Sequence, residues 1–67
     1  MFINVNGKKI DLPHEVNTLQ HLLQHYQLEN RIVVVELNKD IIDKTHYSTT
    51  KLQEKDSIEI VHFVGGG

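Results

Sequence analysis

Ser57-Ile58-Glu59-Ile60-Val61-His62-Phe63-Val64-Gly65-Gly66-Gly67 is the stretch on which the fold of this chain turns. Its first part is rich in β-branched and aromatic residues, and Ile58, Ile60 and Val64 recur at period two, the pattern of a strand with one covered face. The strand passes into three glycines without a polar spacer. Glycine carries no side chain, so this end of the chain is thin and conformationally free. Three extended residues span at most about 10 Å, enough to thread a tunnel that a larger side chain would block. A carboxylate on Gly67 would have a pKa of about 3.5, an anion at neutral pH and a nucleophile toward an activated phosphate. A cloning remnant would bring Ser, a protease site or a His tag, and the sequence has none of these before the glycines. The reading is a reactive terminus at Gly67, with Gly65 and Gly66 as the tail that threads into partner sites, and a scaffold that presents them.

The scaffold begins with another strand. Phe2 to Asn6 places Ile3 and Val5 on one face and Phe2 and Asn4 on the other. Asn6-Gly7 favours a tight hairpin, because both turn positions want positive φ. Lys8 to Leu12 returns as a second strand with Ile10 and Leu12 inward, and Pro13 ends it. A helix then starts at Asn17 or Thr18, with Gln20 placed for a capping-box-like pair with Asn17. Leu19, Leu22, Leu23 and Tyr26 form one apolar stripe, and the helix is expected to stop near Leu28 to Asn30. Arg31 to Leu37 holds the unbroken run Ile32-Val33-Val34-Val35, which reads as a strand covered at least partly on both faces. Asn38-Lys39-Asp40 is a turn and Ile41-Ile42 a short edge piece. Asp43 to Lys55 reads as a loop anchored by Tyr47 and Leu52, and Lys55-Asp56 turns the chain into the last strand.

Composition bounds the rest. With 67 residues this is one expected domain, residues 1–67, with 65–67 as its flexible tail. A chain this short buries only about 60% of the surface it exposes unfolded, which leaves little room for a deep catalytic pocket. The formal charge of −2 gives no basic field for nucleic acid. No apolar run is long enough to span a bilayer and no signal stretch opens the chain, so a soluble cytoplasmic protein is expected. The absence of cysteine excludes disulfides, thiolate-held clusters and a persulfide on this chain. Any sulfur it handles must sit elsewhere than on a cysteine side chain.

The order hairpin, helix, further strands matches the ubiquitin-like β-grasp fold: an α+β mixed sheet of four to five strands with one helix across one face. First and last strands should then lie parallel in mid-sheet, with Ile3, Val5, Ile58 and Ile60 facing Leu19, Leu22 and Leu23. On the opposite face Val61 and Phe63 should join Phe2 and alternate members of Ile32 to Val35 in an apolar partner interface. The expected interface also takes in Val64, with Glu59 and Arg31 as charges at its rim.

With these residues in view, the chain resembles the ThiS family of sulfur carrier proteins of thiamin biosynthesis. The shared features are Asn6-Gly7, Thr18-Leu19, Leu22-Leu23, Val33-Val34-Val35-Glu36 with Asn38, and above all Asp56 to Gly67. Lys55 stands where the family often has glycine, and many members end on two glycines rather than three. The resemblance implies a cycle in which an adenylating enzyme of the ubiquitin-activating type uses ATP to turn the Gly67 carboxylate into an acyl-adenylate. A sulfur source such as a cysteine desulfurase would then supply the atom for a thiocarboxylate on Gly67, and thiazole synthase would consume it. The protein itself would bind no cofactor and would be a co-substrate rather than an enzyme. Three other functions fit the same outline: the small subunit of molybdopterin synthase, a protein modifier forming isopeptide bonds, and an interaction module with an inert tail.

Four polar features read as ordinary surface. His21 and His25 have the i, i+4 spacing of a zinc-binding pair but lack the glutamate of the usual helical motif and a third ligand, so no metal site is expected. His62 reads as a strand residue near the tail and Asp56 as a turn residue.

Overall fold

The structure, a computed structural model, describes residues 1–63. Its elements run β1 (Phe2–Val5), β2 (Lys8–Asp11), α1 (Leu19–His25), β3 (Val33–Leu37), β4 (Asp40–Ile42), a short 3₁₀ turn over Lys44–His46, and β5 (Ser57–His62). They form one five-stranded sheet in the order β2-β1-β5-β3-β4. The last strand is therefore central. It pairs parallel with β1, Asn4 opposite Ser57 and Val5 opposite Ile58, and antiparallel with β3, from Leu37 opposite Ile58 to Val33 opposite His62. The remaining pairs, β1 with β2 and β3 with β4, are antiparallel hairpins.

Why these segments take these forms is visible residue by residue. Asn6 and Gly7 both have positive φ, at 52° and 81°, which the two-residue turn between twisted strands requires. The same geometry recurs at Asn38 and Lys39. Lys55 also sits at positive φ, 72°, a conformation that glycine adopts without strain. The helix opens on Thr18, whose hydroxyl accepts from the His21 amide at 3.1 Å. The other two leading amides are taken up by the long loop: Leu19 donates to the Thr50 carbonyl and Gln20 to that of Tyr47. The otherwise orphaned N–H groups of the helix start are thereby satisfied. The loop is in turn tied down by Leu52, which is buried and donates to the Asn17 carbonyl. Its 3₁₀ turn is capped by Asp43, whose carboxyl is held below the usual value by the Thr45 hydroxyl, then by the Thr45 amide, with a smaller contribution from His46.

The core lies between the helix and one face of the sheet. Ile3, Leu19, Leu22, Val35 and Ile58 are the largest fully buried side chains, joined by Val5, Leu12, Val16, Leu23, Leu52 and Ile60. The expected meeting of the two strand pairs with the leucine stripe is thus present.

Four details depart from expectation. The helix ends at His25, and the left-handed residue is Gln27 (φ 60°), not Asn30. Gln27 donates to the Gln24 carbonyl and Leu28 to the Leu23 carbonyl at 2.7 Å, the paired bonds of a Schellman ending, in which the chain reverses to bring Leu28 back toward Leu23. Tyr26 consequently leaves the stripe, becomes the cap and packs edge-on against His25. The Asn17–Gln20 capping pair does not form, since Asn17 donates to the ring Nδ1 of His21 instead. Finally, Ile32 to Val35 is covered on one face only: Val35 is buried while Ile32 is 77% exposed. One helix can shield one face of a sheet, so an apolar run on both faces leaves half of it in water.

Two substitutions test this packing. Leu22→Ala, at a fully buried site, should destabilise the domain by about 2–5 kcal/mol in chemical denaturation. Gln27→Gly should do the opposite and raise stability by about 1 kcal/mol, because the left-handed backbone then carries no side-chain penalty.

Candidate functional site

The site is built on the C-terminal half of β5 and the sheet face that the helix leaves bare. Alternation along β5 sends Ile58 and Ile60 into the core and Glu59 and Val61 outward. Val61 lies opposite Val34, and beyond His62 the ladder continues with the Phe63 amide donating to the Ile32 carbonyl at 3.2 Å. Val61 and Phe63 are each more than half exposed, and they form an apolar strip with Val34 and Ile32 at the edge from which the chain continues. Ile41, 70% exposed, belongs to the same face because it lies opposite Glu36, whose partner on the other side is Glu59. The sequence reading missed Ile41 by treating Ile41-Ile42 as an edge piece. Alternation against Ile42, which packs on the core, was the available signal.

Phe2 does not join this strip. Asn4 opposite Ser57 sets the parallel register, and the Lys55 amide donates to the Phe2 carbonyl. Phe2 is thus at the start of β5, about 20 Å from Val61 along the strand. Its ring carries the Lys9 ammonium at 4.7 Å from the centroid, and its amide donates to Glu54. Shared parity put it on the right face, but the pairing register put it at the wrong end. The remaining expected members, Val64 of the interface and Gly65, Gly66 and Gly67 of the tail, lie outside the described residues.

Two shallow grooves lie on the helix side of the sheet. The larger, about 540 Å³, is lined by Leu23, Leu28, Arg31, Val33, Lys44 and Tyr47. Burial, and secondarily the nearby Asp43 carboxylate, pushes the Tyr47 hydroxyl above its ordinary value. The smaller is lined by Val5, Asn6, Ile10, Tyr26, Ile60 and His62. The His62 ring turns into this side of the sheet, with Nε2 enclosed and without a hydrogen-bond partner among the described residues. His21 already accepts from the Asn17 amide and His25 packs edge-on against Tyr26, so neither is held in a ligand cluster. Among the described residues no group of three or more His, Asp or Glu converges as a metal site. No helix among them is long and apolar enough to cross a membrane.

A mixed sheet with parallel first and last strands, one helix across one face and a bare apolar strip at the exit of the last strand defines a β-grasp domain of the ubiquitin-like kind. A crystal structure of the thiamine biosynthesis protein ThiS of Geobacter metallireducens has the same fold, with a TM-score of 0.82 at 28% identity and all of both chains covered. The sulfur carrier protein ThiS of Bacillus subtilis is 52% identical over 65 residues, 97% of this chain and 98% of that protein. The thiazole synthase of Magnetococcus marinus is 40% identical over 70 residues, all of this chain but 20% of that enzyme. The ThiS family matches residues 3–67. The chain belongs to the ThiS family: it is a sulfur carrier protein of thiamine biosynthesis and not a catalyst in its own right.

The exposure of the strip yields a direct check. Phe63→Ser, at a 54% exposed position outside the core, should change unfolding free energy by no more than about 1 kcal/mol, measured by urea denaturation.

Proposed function

We propose that this chain acts as one ubiquitin-like domain over residues 1–67 whose Gly67 carboxylate is the group loaded and unloaded in the cycle. An adenylating enzyme binds the strip of Val34, Val61 and Phe63, with Val64 next in line, and takes in Gly65 and Gly66. A Gly67 carboxylate oxygen attacks the α-phosphorus of ATP, pyrophosphate leaves, and an acyl-adenylate forms. The terminal sulfur of a cysteine persulfide on a donor protein then attacks the carbonyl carbon and AMP leaves, giving an acyl disulfide. A second thiol attacks that S–S bond, which frees the thiocarboxylate and leaves a disulfide between the two thiols. Thiazole synthase is the acceptor of the sulfur, and the cycle runs in the cytoplasm.

The observation that carries this reading is the placement of β5. A central strand locked between β1 and β3 ends at His62, shortly before the glycines in the sequence, and the apolar strip lies along it. A partner that covers the strip therefore receives the tail in a fixed direction, so docking and delivery are one event. The side-by-side carboxylates of Glu36 and Glu59 on that face favour a partner that brings a cation to the rim. The thiazole synthase whose sequence includes a region like this chain supports the choice of sulfur acceptor, since two units encoded together tend to work on one another. No similar observation favours the molybdopterin, modifier or inert-module readings.

Intact-mass measurement after incubation with ATP, the adenylating enzyme and a persulfide donor should show a gain of about 16 Da, oxygen replaced by sulfur. Deletion of Gly66 and Gly67 should abolish the gain while leaving the melting temperature unchanged. A truncated chain that still consumed ATP to AMP with the enzyme would overturn the assignment of the reactive group.

A further inference from the structure

Asn6 and Asn38 occupy the same place in two different hairpins. Each is the first residue of a two-residue turn, with φ of 52° and 51°, followed by a second positive-φ residue, Gly7 or Lys39. Asparagine suits that position for its backbone alone. In both hairpins, however, the side chain does something further: it bonds to the backbone of β5. The Asn38 backbone N–H donates to the Ser57 carbonyl at 2.7 Å, and the side-chain Oδ1 accepts from the Ser57 N–H at 2.9 Å. Its Nδ2 reaches the Asp56 carboxylate at 3.0 Å. That fastens the beginning of β5.

Asn6 fastens the other end. Its amide donates to the Ile58 carbonyl at 2.9 Å. Its Oδ1 accepts from the Ile60 amide at 2.7 Å, and its Nδ2 donates to the Ile60 carbonyl at 3.3 Å. The parallel pairing of β1 with β5 has ended at Val5 and Ile58 by this point. One carboxamide thus stands in for the peptide group that a longer β1 would have supplied, satisfying both backbone groups of Ile60. On its other side β5 remains paired with β3 as far as His62, with Phe63 bonded to Ile32. Without Asn6, the last part of β5 would be held from the β3 side only, and a strand held along one edge can swing about that edge.

We infer that Asn6 is a positioning residue for sulfur loading: its carboxamide fixes the line along which the residues after Ile60 leave the sheet, so that a partner meets the reactive terminus from a rigid root. The inference rests on the carrier cycle proposed above. Its physical basis is the cost of ordering a loose segment at the moment of binding, which a pre-set root avoids.

Three variants of the full chain decide the matter. Asn6→Gly keeps the positive-φ turn and deletes the carboxamide. Asn6→Asp keeps the turn and the acceptor for the Ile60 amide but sets a carboxylate against the Ile60 carbonyl. Asn38→Gly removes the corresponding bonds at the opposite end of β5 and serves as the control for stability. Amide hydrogen exchange, thermal melting, and kcat and KM for ATP-dependent loading by the adenylating enzyme are measured on each. In Asn6→Gly the Ile60 amide should exchange about five- to tenfold faster, and kcat/KM for the carrier should fall by a similar factor. Asn6→Asp should lie between it and the unaltered protein. Asn38→Gly should lower the melting temperature yet load normally. A normally loaded Asn6→Gly would overturn the inference, as would an Asn38→Gly that lost loading in proportion to its stability. If the unaltered protein itself never gained sulfur, the carrier cycle would fall and the inference with it, an outcome distinct from the other two.

Discussion

The pairing of β1 with β5 is the constraint on which the rest of the structure depends. It joins segments from the two ends of the described chain and puts the later one in the middle of the sheet, between β1 and β3. Ile58 is fully buried as a result, with Ile3 and Val35 on the strands at either side and Leu19 and Leu22 among the core residues of the overlying helix. The hairpins β1–β2 and β3–β4 are local pairings, but each alone is only marginally stable. Only the central strand makes them one sheet, and only one sheet gives the helix a floor to pack on. A small domain has few such contacts to spare, and its stability is the small difference between burial and chain entropy.

The same constraint produces the site. Because the helix covers one face, every second residue of β5 and β3 is released from the core; Glu59 and Glu36 among them are charged, but toward the exit of β5 the released residues are apolar: Val61, Phe63 just after the strand, Val34 and, on β4, Ile41. Exposed apolar side chains on adjacent strands of a small protein commonly mark interfaces, which is the role proposed for this strip. The carrier has no chemistry of its own to perform. What the fold supplies is direction and a contact area, and in the proposed cycle the energy of activation comes from the partner enzymes.

Much of this was legible in the residues. Alternation in Phe2 to Val5 and in Ser57 to His62 told which side chains share a face, and Asn6-Gly7 located the first hairpin. The leucine stripe located the helix, and the glycines at 65–67, beyond the described part, pointed in the sequence to the terminus as the reactive end. Three things were not legible, each for a physical cause. Parity along a strand says which face a residue occupies but not how far along the sheet it lies, so parity alone groups Phe2 with Val61 and only the register separates them. Gln27 has no left-handed preference to announce the Schellman ending, which forms because Leu28 bonds back to Leu23. The polar loop from Asp43 to Lys55 shows no periodicity because its work is to feed single carbonyls, those of Tyr47 and Thr50, to the start of the helix.

The central placement of β5 also governs when the protein can come into being during synthesis. Residues 1–56 can make two hairpins and a nascent helix as they leave the ribosome, yet they have no strand to fill the gap between β1 and β3. The sheet closes only after Ser57 to His62 have emerged, and a contact between such distant segments is slow to find. Until then the apolar faces of both hairpins stand open to other chains, as in any incompletely folded intermediate. A carrier built this way presents its apolar strip in native form only once β5 is in place, so whatever reads that strip is spared unfinished copies.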